Sequence, residues 1–252
     1  MTRSRSPGAP AGHTYRYYDF VLCGMVVVLL CSNLIGPAKV CTLPLPLIGA
    51  VTFGAGNLFF PVSYIFDDVL TEVYGYARAR RAIWAGFGAM LFASLMSWAI
   101  VHLPLSPSEP FNAQLQPALE LVFGNTARIA SASVLAFWIG DFANSYVLAK
   151  MKIWTNGRWL WTRTIGSTLV GEGLDSITFY PLAFYGIWTG QTLLSVIVFN
   201  WTMKVLVEVL ATPLTYWVVF SLKRAEGLDT YDRHTHFTPF SLRDEGDTEK
   251  YG

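Results

Sequence analysis

Long apolar runs separated by short polar stretches dominate the pattern of this chain. A helix needs about 20 consecutive apolar residues to cross a bilayer. Six segments meet that length, and they cover residues 20–38, 49–74, 82–101, 129–148, 164–188 and 192–222. The pattern therefore predicts an all-α integral membrane protein with six transmembrane helices.

The two ends of the chain are polar. Residues 1–18 predict a disordered N-terminal tail, residues 19–222 the transmembrane domain, and residues 223–252 a charged tail that is solvated and mostly irregular. A basic start before an apolar run is also typical of a signal peptide. The first run is longer than a signal-peptide core and lacks a clear small-x-small cleavage site, so we interpret it as a retained helix.

Basic residues in the connections indicate the orientation, because cytoplasmic connections carry an excess of Lys and Arg. One side of the membrane would carry most of the basic residues. They lie in the connection between helices two and three (Arg78, Arg80 and Arg81), in the connection between helices four and five (Lys150, Lys152 and Arg158) and at the start of the tail (Lys223 and Arg224). The other side has only Lys39 and Arg128. We expect both termini in the cytoplasm, a location in the cell inner membrane, and two three-helix halves in inverted orientation.

Composition narrows the function. Charged residues make up 14% of the chain, against about 25% in soluble domains. The net charge of +1 offers no basic surface for phosphates, so we expect no nucleic-acid partner. The three cysteines are an odd number, which disfavours a disulfide framework or a metal site. The H-E-x-x-H and P-loop motifs are absent from the sequence, and we expect neither enzymatic activity nor a cofactor.

Ionisable residues inside the apolar runs are the candidate functional groups, since each costs about 3 kcal/mol by insertion scales. Acids outnumber bases: the acids are Asp68, Glu72, Asp141, Glu172, Asp175 and Glu208, and the bases are Arg163 and Lys204. Some of these acids must be protonated, hydrated, or in contact with a cation or a hydrogen-bond donor of a ligand. A neutral planar heterocycle with N–H edges would supply such donors, and aromatic side chains would stack on its ring.

Helical spacing groups these residues on faces. Asp68 and Glu72 lie four apart, near Tyr64 and Thr71, and Glu172, Asp175 and Ser176 form one stripe on the fifth helix. Asn200, Lys204 and Glu208 share one face of the sixth helix. Two plainer interpretations stay open. In the first, the acids of the fifth helix have a purely structural role and pair with Lys204 or Arg163. In the second, Lys204 has no contact with a ligand and simply neutralises Glu208 at i, i+4.

Two motifs carry a family resemblance. The stretch Phe60-Pro-Val-Ser-Tyr-Ile-Phe-Asp-Asp68-Val-Leu-Thr-Glu72-Val-Tyr-Gly75-Tyr resembles the signature of the queuosine precursor transporter family, also known as a vitamin uptake family. Arg163-x-x-Gly-Ser167, followed by Gly171-Glu-Gly-x-Asp175-Ser176, is similar to its second signature. The ending Glu226-x-x-Asp229-x-Tyr231-Asp resembles the tail of one branch. The resemblance implies a six-helix inner-membrane importer of 7-deazaguanine precursors such as preQ0 or preQ1, or of queuine.

The motifs and the faces together predict the site residues. We expect the substrate to be bound by Glu172, Asp175, Ser176, Ser167, Asp141, Asn200, Lys204 and Tyr64. We expect cytoplasmic gating or proton coupling from Asp68, Glu72, Thr71, Arg163 and Glu208, with Glu72 partly paired to the arginines at 78–81. Asp67 is the weaker candidate beside Asp68.

The expected function is secondary transport of a small molecule, with the lipid bilayer as the surrounding partner. One alternative is a substrate-binding membrane subunit that needs a separate ATPase module. A homo-oligomer is a second open alternative.

Overall fold

The computed structural model describes residues 15–34, 40–45, 49–54, 60–124, 127–241 and 247–250. These ranges form an all-α architecture with two small antiparallel hairpins. The helices are α1 (Tyr18–Leu34), α2 (Phe60–Tyr74), α3 (Tyr76–His102), α4 (Asn112–Phe123), α5 (Ala127–Trp154), α6 (Leu160–Phe184) and α7 (Gly190–Glu226). The strands are β1 (Val40–Leu45), which pairs with β2 (Gly49–Gly54), and β3 (Leu228–Tyr231), which pairs with β4 (Asp247–Lys250). Most of the predicted N-terminal tail, residues 1–14, lies outside the described ranges.

Apolar side chains cover the outside of the longest helices. Within the described ranges, three helices are long and apolar enough to cross a membrane: α3, α7 and nearly all of α5. Helix α1 is apolar but shorter. Phe92, Leu210 and Trp217 are among the large side chains left exposed. Such apolar surface is costly in water and ordinary in lipid, so the helices are those of a membrane protein.

The second predicted helix is wrong in its first part. Residues 49–54 form strand β2, paired in register with β1, and α2 begins only at Phe60. The stretch Gly49–Gly54 has glycine at both ends and the β-branched residues Val51 and Thr52 between them, a composition that favours a strand. With 15 residues, α2 is about 23 Å long, shorter than the hydrocarbon core of a bilayer.

Helix α4 was not predicted. It lies in the Pro-rich connection between α3 and α5, and none of its 12 residues is buried. Because it has too few apolar residues for a membrane span, a search for long apolar runs passes over it.

Helix α2 lies at the centre of the core, packed against α1, α3, α5 and α7. Val69, Leu70 and Val73 are almost fully buried there, together with Ile83 of α3. A single residue, Gly75, connects α2 to α3 with a φ of 83°. This tight connection fixes the end of α2 next to the start of α3.

Helices α5 and α6 approach each other closely through glycine. A Cβ on Gly171 would lie 2.7 Å from Asn144 Cβ, and a Cβ on Gly140 would lie 3.0 Å from Asp175 Cβ. Small residues let two helix backbones meet in this way. The contact places the acidic stripe of α6 directly beside Asp141 and Asn144 of α5.

The described part of the C-terminal tail is packed rather than solvated, which corrects the expectation for residues 223–241. Helix α7 continues to Glu226, and Thr230 and Asp232 are buried. Arg80 Nη1 donates to the carbonyl oxygens of His236 and Thr238 at 3.0 and 2.7 Å. The tail is held because buried helix side chains use its backbone and carboxylates as partners. Lys152, which was expected in a connection, lies inside α5 and is buried.

Candidate functional site

A large cavity lies between the helices. Its volume is about 1110 Å³, and all seven helices, α1 to α7, contribute to its wall. Ligand cavities in proteins commonly measure about 300–1,000 Å³, so a small heterocycle fits with water. The ionisable and amide side chains on its wall are Asn33, Tyr64, Asp67, His102, Asp141, Glu172, Asp175, Tyr180, Asn200 and Lys204. Six of the eight predicted substrate-binding residues thus border one cavity.

Lys204 links the two predicted acids of α6. Its Nζ lies 2.5 Å from Glu172 Oε2 and 2.6 Å from Asp175 Oδ2. The i, i+3 spacing on α6 places both carboxylates on the face that meets α7. All three side chains keep some exposure, with Lys204 at 21%. We call these three residues the Lys204 triad. It carries one positive and two negative charges at the wall of the cavity.

The Lys204 triad shows which of the two plainer pairings is present. Pairing of the α6 acids with Lys204 is present in the structure. The second pairing is not seen: neither Glu208 oxygen has a hydrogen-bond partner among the described residues, so the i, i+4 bond from Lys204 is not formed. Lys204 therefore reaches across to α6 instead of down its own helix.

Other predicted contacts surround the triad. The Tyr64 hydroxyl lies beside Glu172, and Asp141 lies near Asp67 and both α6 acids. Asn200 Nδ2 donates to the Val196 carbonyl oxygen at 3.0 Å. The rings of Phe179 and Tyr180 also border the cavity, with centroids 5.1 Å apart. These rings offer the aromatic surface that the sequence predicts for a planar ligand.

Two predicted substrate contacts lie away from the cavity. Ser167 is fully buried, and its Oγ donates to the Thr164 carbonyl oxygen at 2.9 Å. Ser176 is also fully buried, and its Oγ has no hydrogen-bond partner among the described residues. In this conformation neither serine reaches the cavity.

Asp67 is the cavity residue that the sequence undervalued. Its carboxylate accepts hydrogen bonds from Asn144 Nδ2 and from Ser145 Oγ, the latter at 3.3 Å. The signal was present in the spacing, because Tyr64 and Asp67 are three residues apart and share a face of α2. The neighbouring Asp68, which matches the family motif, was favoured over it.

Glu72 lies at the centre of a buried ion network. Arg163 Nε and Nη2 donate to its two carboxylate oxygens at 2.7 and 2.8 Å, a bidentate arrangement. Lys223 Nζ lies 2.6 Å from Oε1. The expected pairing of Glu72 with the arginines at 78–81 is therefore wrong: its side chain, at 0% exposure, faces the interior and meets α6 and α7 instead.

The tail completes this network. Asp229 Oδ1 lies 2.5 Å from Lys152 Nζ and 2.8 Å from Lys223 Nζ. Lys152 Nζ also donates to the backbone oxygens of Glu72 and Thr230, both at 2.7 Å. We call Glu72, Lys152, Arg163, Lys223 and Asp229 the Glu72 network. It joins α2, α5, α6, α7 and β3, and none of its side chains borders the cavity.

Asp68, Thr71 and Glu208 lie between the cavity and the Glu72 network. Thr71 Oγ1 donates to Ser145 Oγ at 2.9 Å, and Asn144 Nδ2 donates to Asp68 Oδ1 at 3.3 Å. Along α2 the order is Asp67 at the cavity, then Asp68 and Thr71, then Glu72. All five residues predicted for gating or coupling thus lie in the two layers beyond the cavity.

The cavity extends away from the Glu72 network. Its wall continues to Trp98 and His102 at the C-terminal end of α3 and to Gly124 before α5. The network lies at the opposite end of α3, where Gly75 connects it to α2. The cavity therefore opens at one end of the bundle, and the ion network closes the other end.

Apolar helices around a charged, ligand-sized cavity that is closed at one end define a membrane transport protein. Residues 54–218 match the family model described as "Putative vitamin uptake transporter". The chain belongs to this transporter family, so the membership predicted from the two motifs is confirmed. The family consists of transporters rather than enzymes.

Named relatives agree with this assignment. The chain is 32% identical over 168 residues to the "Probable queuosine precursor transporter" of Bacillus subtilis (strain 168), covering 66% of this chain and 71% of that protein. It is 31% identical over 145 residues to the "Queuosine precursor transporter" of Escherichia coli (strain K12), covering 57% of this chain and 60% of that protein. No solved structure matches the chain.

Proposed function

We propose that this chain is a secondary transporter that imports 7-deazaguanine queuosine precursors across the cell inner membrane. The observation that carries the proposal is the Lys204 triad on the wall of the cavity, in a chain whose relatives are named for this substrate class. The specific substrates are preQ0 and preQ1, with queuine as a further candidate.

The triad suits the polar edge of such a base. A 7-deazaguanine presents an N1–H and a 2-amino group side by side, and one carboxylate accepts both hydrogen bonds. Either Glu172 or Asp175 takes this edge, while Lys204 balances the charge of the other. Tyr64, Asp141 and Asn200 supply further polar contacts to the same cavity.

We propose six membrane spans with both termini in the cytoplasm. Helix α6, with 25 residues, is about 37 Å long and can cross the bilayer despite its two acids. The short α2, which is about 23 Å long, packs among α1, α3, α5 and α7 and is the second span of this proposal. Helix α1 and the three apolar helices supply the other four spans.

In this orientation the cavity opens to the outside and the Glu72 network closes the cytoplasmic side. Substrate bound at the triad cannot reach the cytoplasm until the layers at Asp68, Thr71 and Glu208 and the Glu72–Arg163 pair separate. The predicted gating role of these five residues follows from that position. The two three-helix halves, α1–α3 and α5–α7, are the bodies that would move.

Uptake by the purified protein in liposomes tests the proposal. Glu172→Ala and Asp175→Ala remove a carboxylate that accepts charge-assisted hydrogen bonds, each contributing about 1.5–3 kcal/mol, so uptake should fall at least about tenfold. Tritiated preQ0, preQ1 and queuine are the substrates, and exposed Glu109→Ala on the α3–α4 connection is the matched control.

The outcomes separate the alternatives. We expect uptake by the wild type and the control without any partner protein, and its loss in both cavity variants at unchanged protein level in the membrane. Normal uptake by both cavity variants would exclude the triad as the substrate site. Binding without uptake until an ATPase module is added would favour a substrate-binding subunit.

A further inference from the structure

Two buried carboxyl groups lie together without a cation. Asp68 of α2 is 1% exposed and Glu208 of α7 is 0% exposed. The two side chains face each other where α2 packs against α7. Asp68 Oδ2 and both Glu208 oxygens have no hydrogen-bond partner in the part of the chain that the structure describes. A buried ionised carboxylate left in this state is very unfavourable.

The charged groups around the pair do not relieve this repulsion. On α2 the neighbours are Asp67 and Glu72, and on α6 the neighbour is Glu172. Helix α5 offers the neutral Asn144 and Ser145 at this level, with Asp141 farther up at the cavity.

The nearby cations are held elsewhere. Lys204 lies between the two α6 acids, and Lys152, Arg163 and Lys223 surround Glu72. Two facing carboxyl groups without a cation share a proton, as a carboxylate dyad does.

The pair is one helical turn from both the substrate site and the gate. On α7, Glu208 follows Lys204 by four residues, and on α2, Asp68 precedes Glu72 by four residues. Asn144 Nδ2 donates to Asp67 at the cavity wall and to Asp68 in the pair. A change of charge on the pair therefore reaches the cavity through Asn144 and the gate through α2.

We propose that the Asp68–Glu208 pair is the proton-binding site of the transport cycle, and that one proton enters with each substrate molecule. The proposal rests on the import function proposed above. The proton binds a carboxyl oxygen of the pair when the cavity is open to the outside. It leaves from the same pair to the cytoplasm once the Glu72 network has opened. Two facing carboxyl groups without a cation take up a proton, so a proton is the coupling ion that this site favours.

The first experiment measures coupling in the wild-type protein. Proteoliposomes with tritiated preQ0, the uncharged 7-cyano-7-deazaguanine, receive an inward gradient of one pH unit, a sodium gradient, or neither. For one proton per neutral substrate, one pH unit supports roughly tenfold accumulation. We expect accumulation only with the pH gradient, its collapse by a protonophore, and alkalinisation of a lightly buffered outside solution. Accumulation driven by sodium, or uptake that ignores both gradients, would overturn the proposal.

The second experiment removes the proton site. In Asp68→Asn and Glu208→Gln the pair loses one titratable group at nearly constant shape. Exposed Asp19→Asn and Glu120→Gln are the matched controls. We expect both pair variants to keep substrate counterflow, which needs no net proton movement, while the accumulation ratio under the pH gradient falls from about ten to about one. Wild-type accumulation in both variants would overturn the proposal, and so would loss of counterflow in both.

A conservative variant keeps the test decisive if an amide variant fails to fold. Glu208→Asp retains a carboxyl group but lengthens its distance to Asp68. We expect it to accumulate substrate with a displaced pH dependence, and an unchanged pH profile would count against the pair. A wild-type protein that shows no counterflow of any 7-deazaguanine would instead refute the proposed function. Counterflow without a response to pH refutes only the proton site.

Discussion

Glu72 illustrates how a membrane-buried carboxylate is stabilised by several cations at once. Arg163 takes both of its oxygens, and Lys223 and Lys152 add two ammonium groups at 2.6 and 3.4 Å. Removing a charge from water is costly, and only good geometry with further hydrogen bonds offsets that cost. The three cations depend on Glu72 as much as it depends on them.

Replacing Glu72 by Gln should therefore destabilise the whole bundle. The amide would keep the shape but leave Arg163 buried without a carboxylate and Lys223 with Asp229 alone, and breaking a buried pair typically costs about 3–5 kcal/mol. Thermal unfolding in detergent measures the loss, and Glu120→Gln on the exposed α4 is the control. An unfolding midpoint equal to that of the control would show that the network contributes little to stability.

The faces of charged residues could be predicted from the sequence, but their partners could not. Helical spacing placed Glu172 and Asp175 on one face, and the structure shows both at Lys204. The partners of Glu72 are 91 and 151 residues away in sequence, and no local spacing encodes such contacts. The arginines at 78–81 are the cations nearest to Glu72 in the sequence, but they are not its partners in the structure.

Among the elements, the connection between α2 and α3 is the tightest. Gly75 adopts a φ of 83°, which an L side chain rarely takes, and a Cβ there would lie 2.6 Å from Thr230 Cγ2. Asp232 Oδ2 accepts the Tyr76 N–H at 3.0 Å, which satisfies one free donor at the start of α3. The tail thus supports the same turn from two sides.

Gly75→Ala should separate backbone strain from steric overlap. We expect a loss of stability that includes about 1–2 kcal/mol for the left-handed backbone, plus the cost of displacing Thr230. Adding Thr230→Ala should restore only the steric part in thermal unfolding. Gly88→Ala, with no atom within 4 Å of the added Cβ, is the control and should be neutral or stabilising. Equal midpoints for Gly75→Ala and wild type would contradict the strain.

Element boundaries were predicted well where apolarity and helicity coincide, as at both ends of α7 and at the C-terminal end of α3, whereas the polar first turns of α3 were missed. The predicted boundaries were wrong where an apolar run continues from a strand into a helix. The run at 49–74 is apolar throughout, yet strand β2 and helix α2 divide it, because β-branched residues and glycines decide backbone conformation and a hydropathy window does not register them. Helix α4 was missed because it buries no residue, and a helix of this kind has no long apolar run that a hydropathy window could detect.

At the scale of the whole molecule, the residues that precede α1 meet the end of α7 at the closed face. Glu226 at the end of α7 accepts the backbone N–H groups of Arg16 and Tyr17 at 2.9 and 2.8 Å, and the Tyr74 hydroxyl at 3.0 Å. The basic residues that predicted the orientation have a second role here. Arg80, Lys152 and Lys223 are buried by their contacts with the tail and the Glu72 network. The charges from which the sequence predicts the orientation are thus also the ones that hold the closed face together.

Deleting the tail after Glu226 should consequently unfold this face. The deletion removes Asp229 from Lys152 and Lys223, Asp232 from the start of α3, and two carbonyl oxygens from Arg80. Lys152 and Lys223 would then share Glu72 alone, and Arg80 would lose two acceptors. A buried cation that loses a partner costs several kcal/mol, so we expect aggregation in size-exclusion chromatography and a collapse of the unfolding midpoint.

A shorter deletion after Ser241 is the matched control. It removes strand β4 but keeps every one of those contacts, so we expect a monodisperse protein with a midpoint close to that of the full chain. Full-length Asp229→Asn should fall between the two, because it removes one carboxylate and leaves the carbonyl oxygen of Thr230 at Lys152. If the chain that ends at Glu226 were as stable as the full chain, the tail would be an accessory to the bundle, and the closed face would have to depend on Glu72 and Arg163 alone.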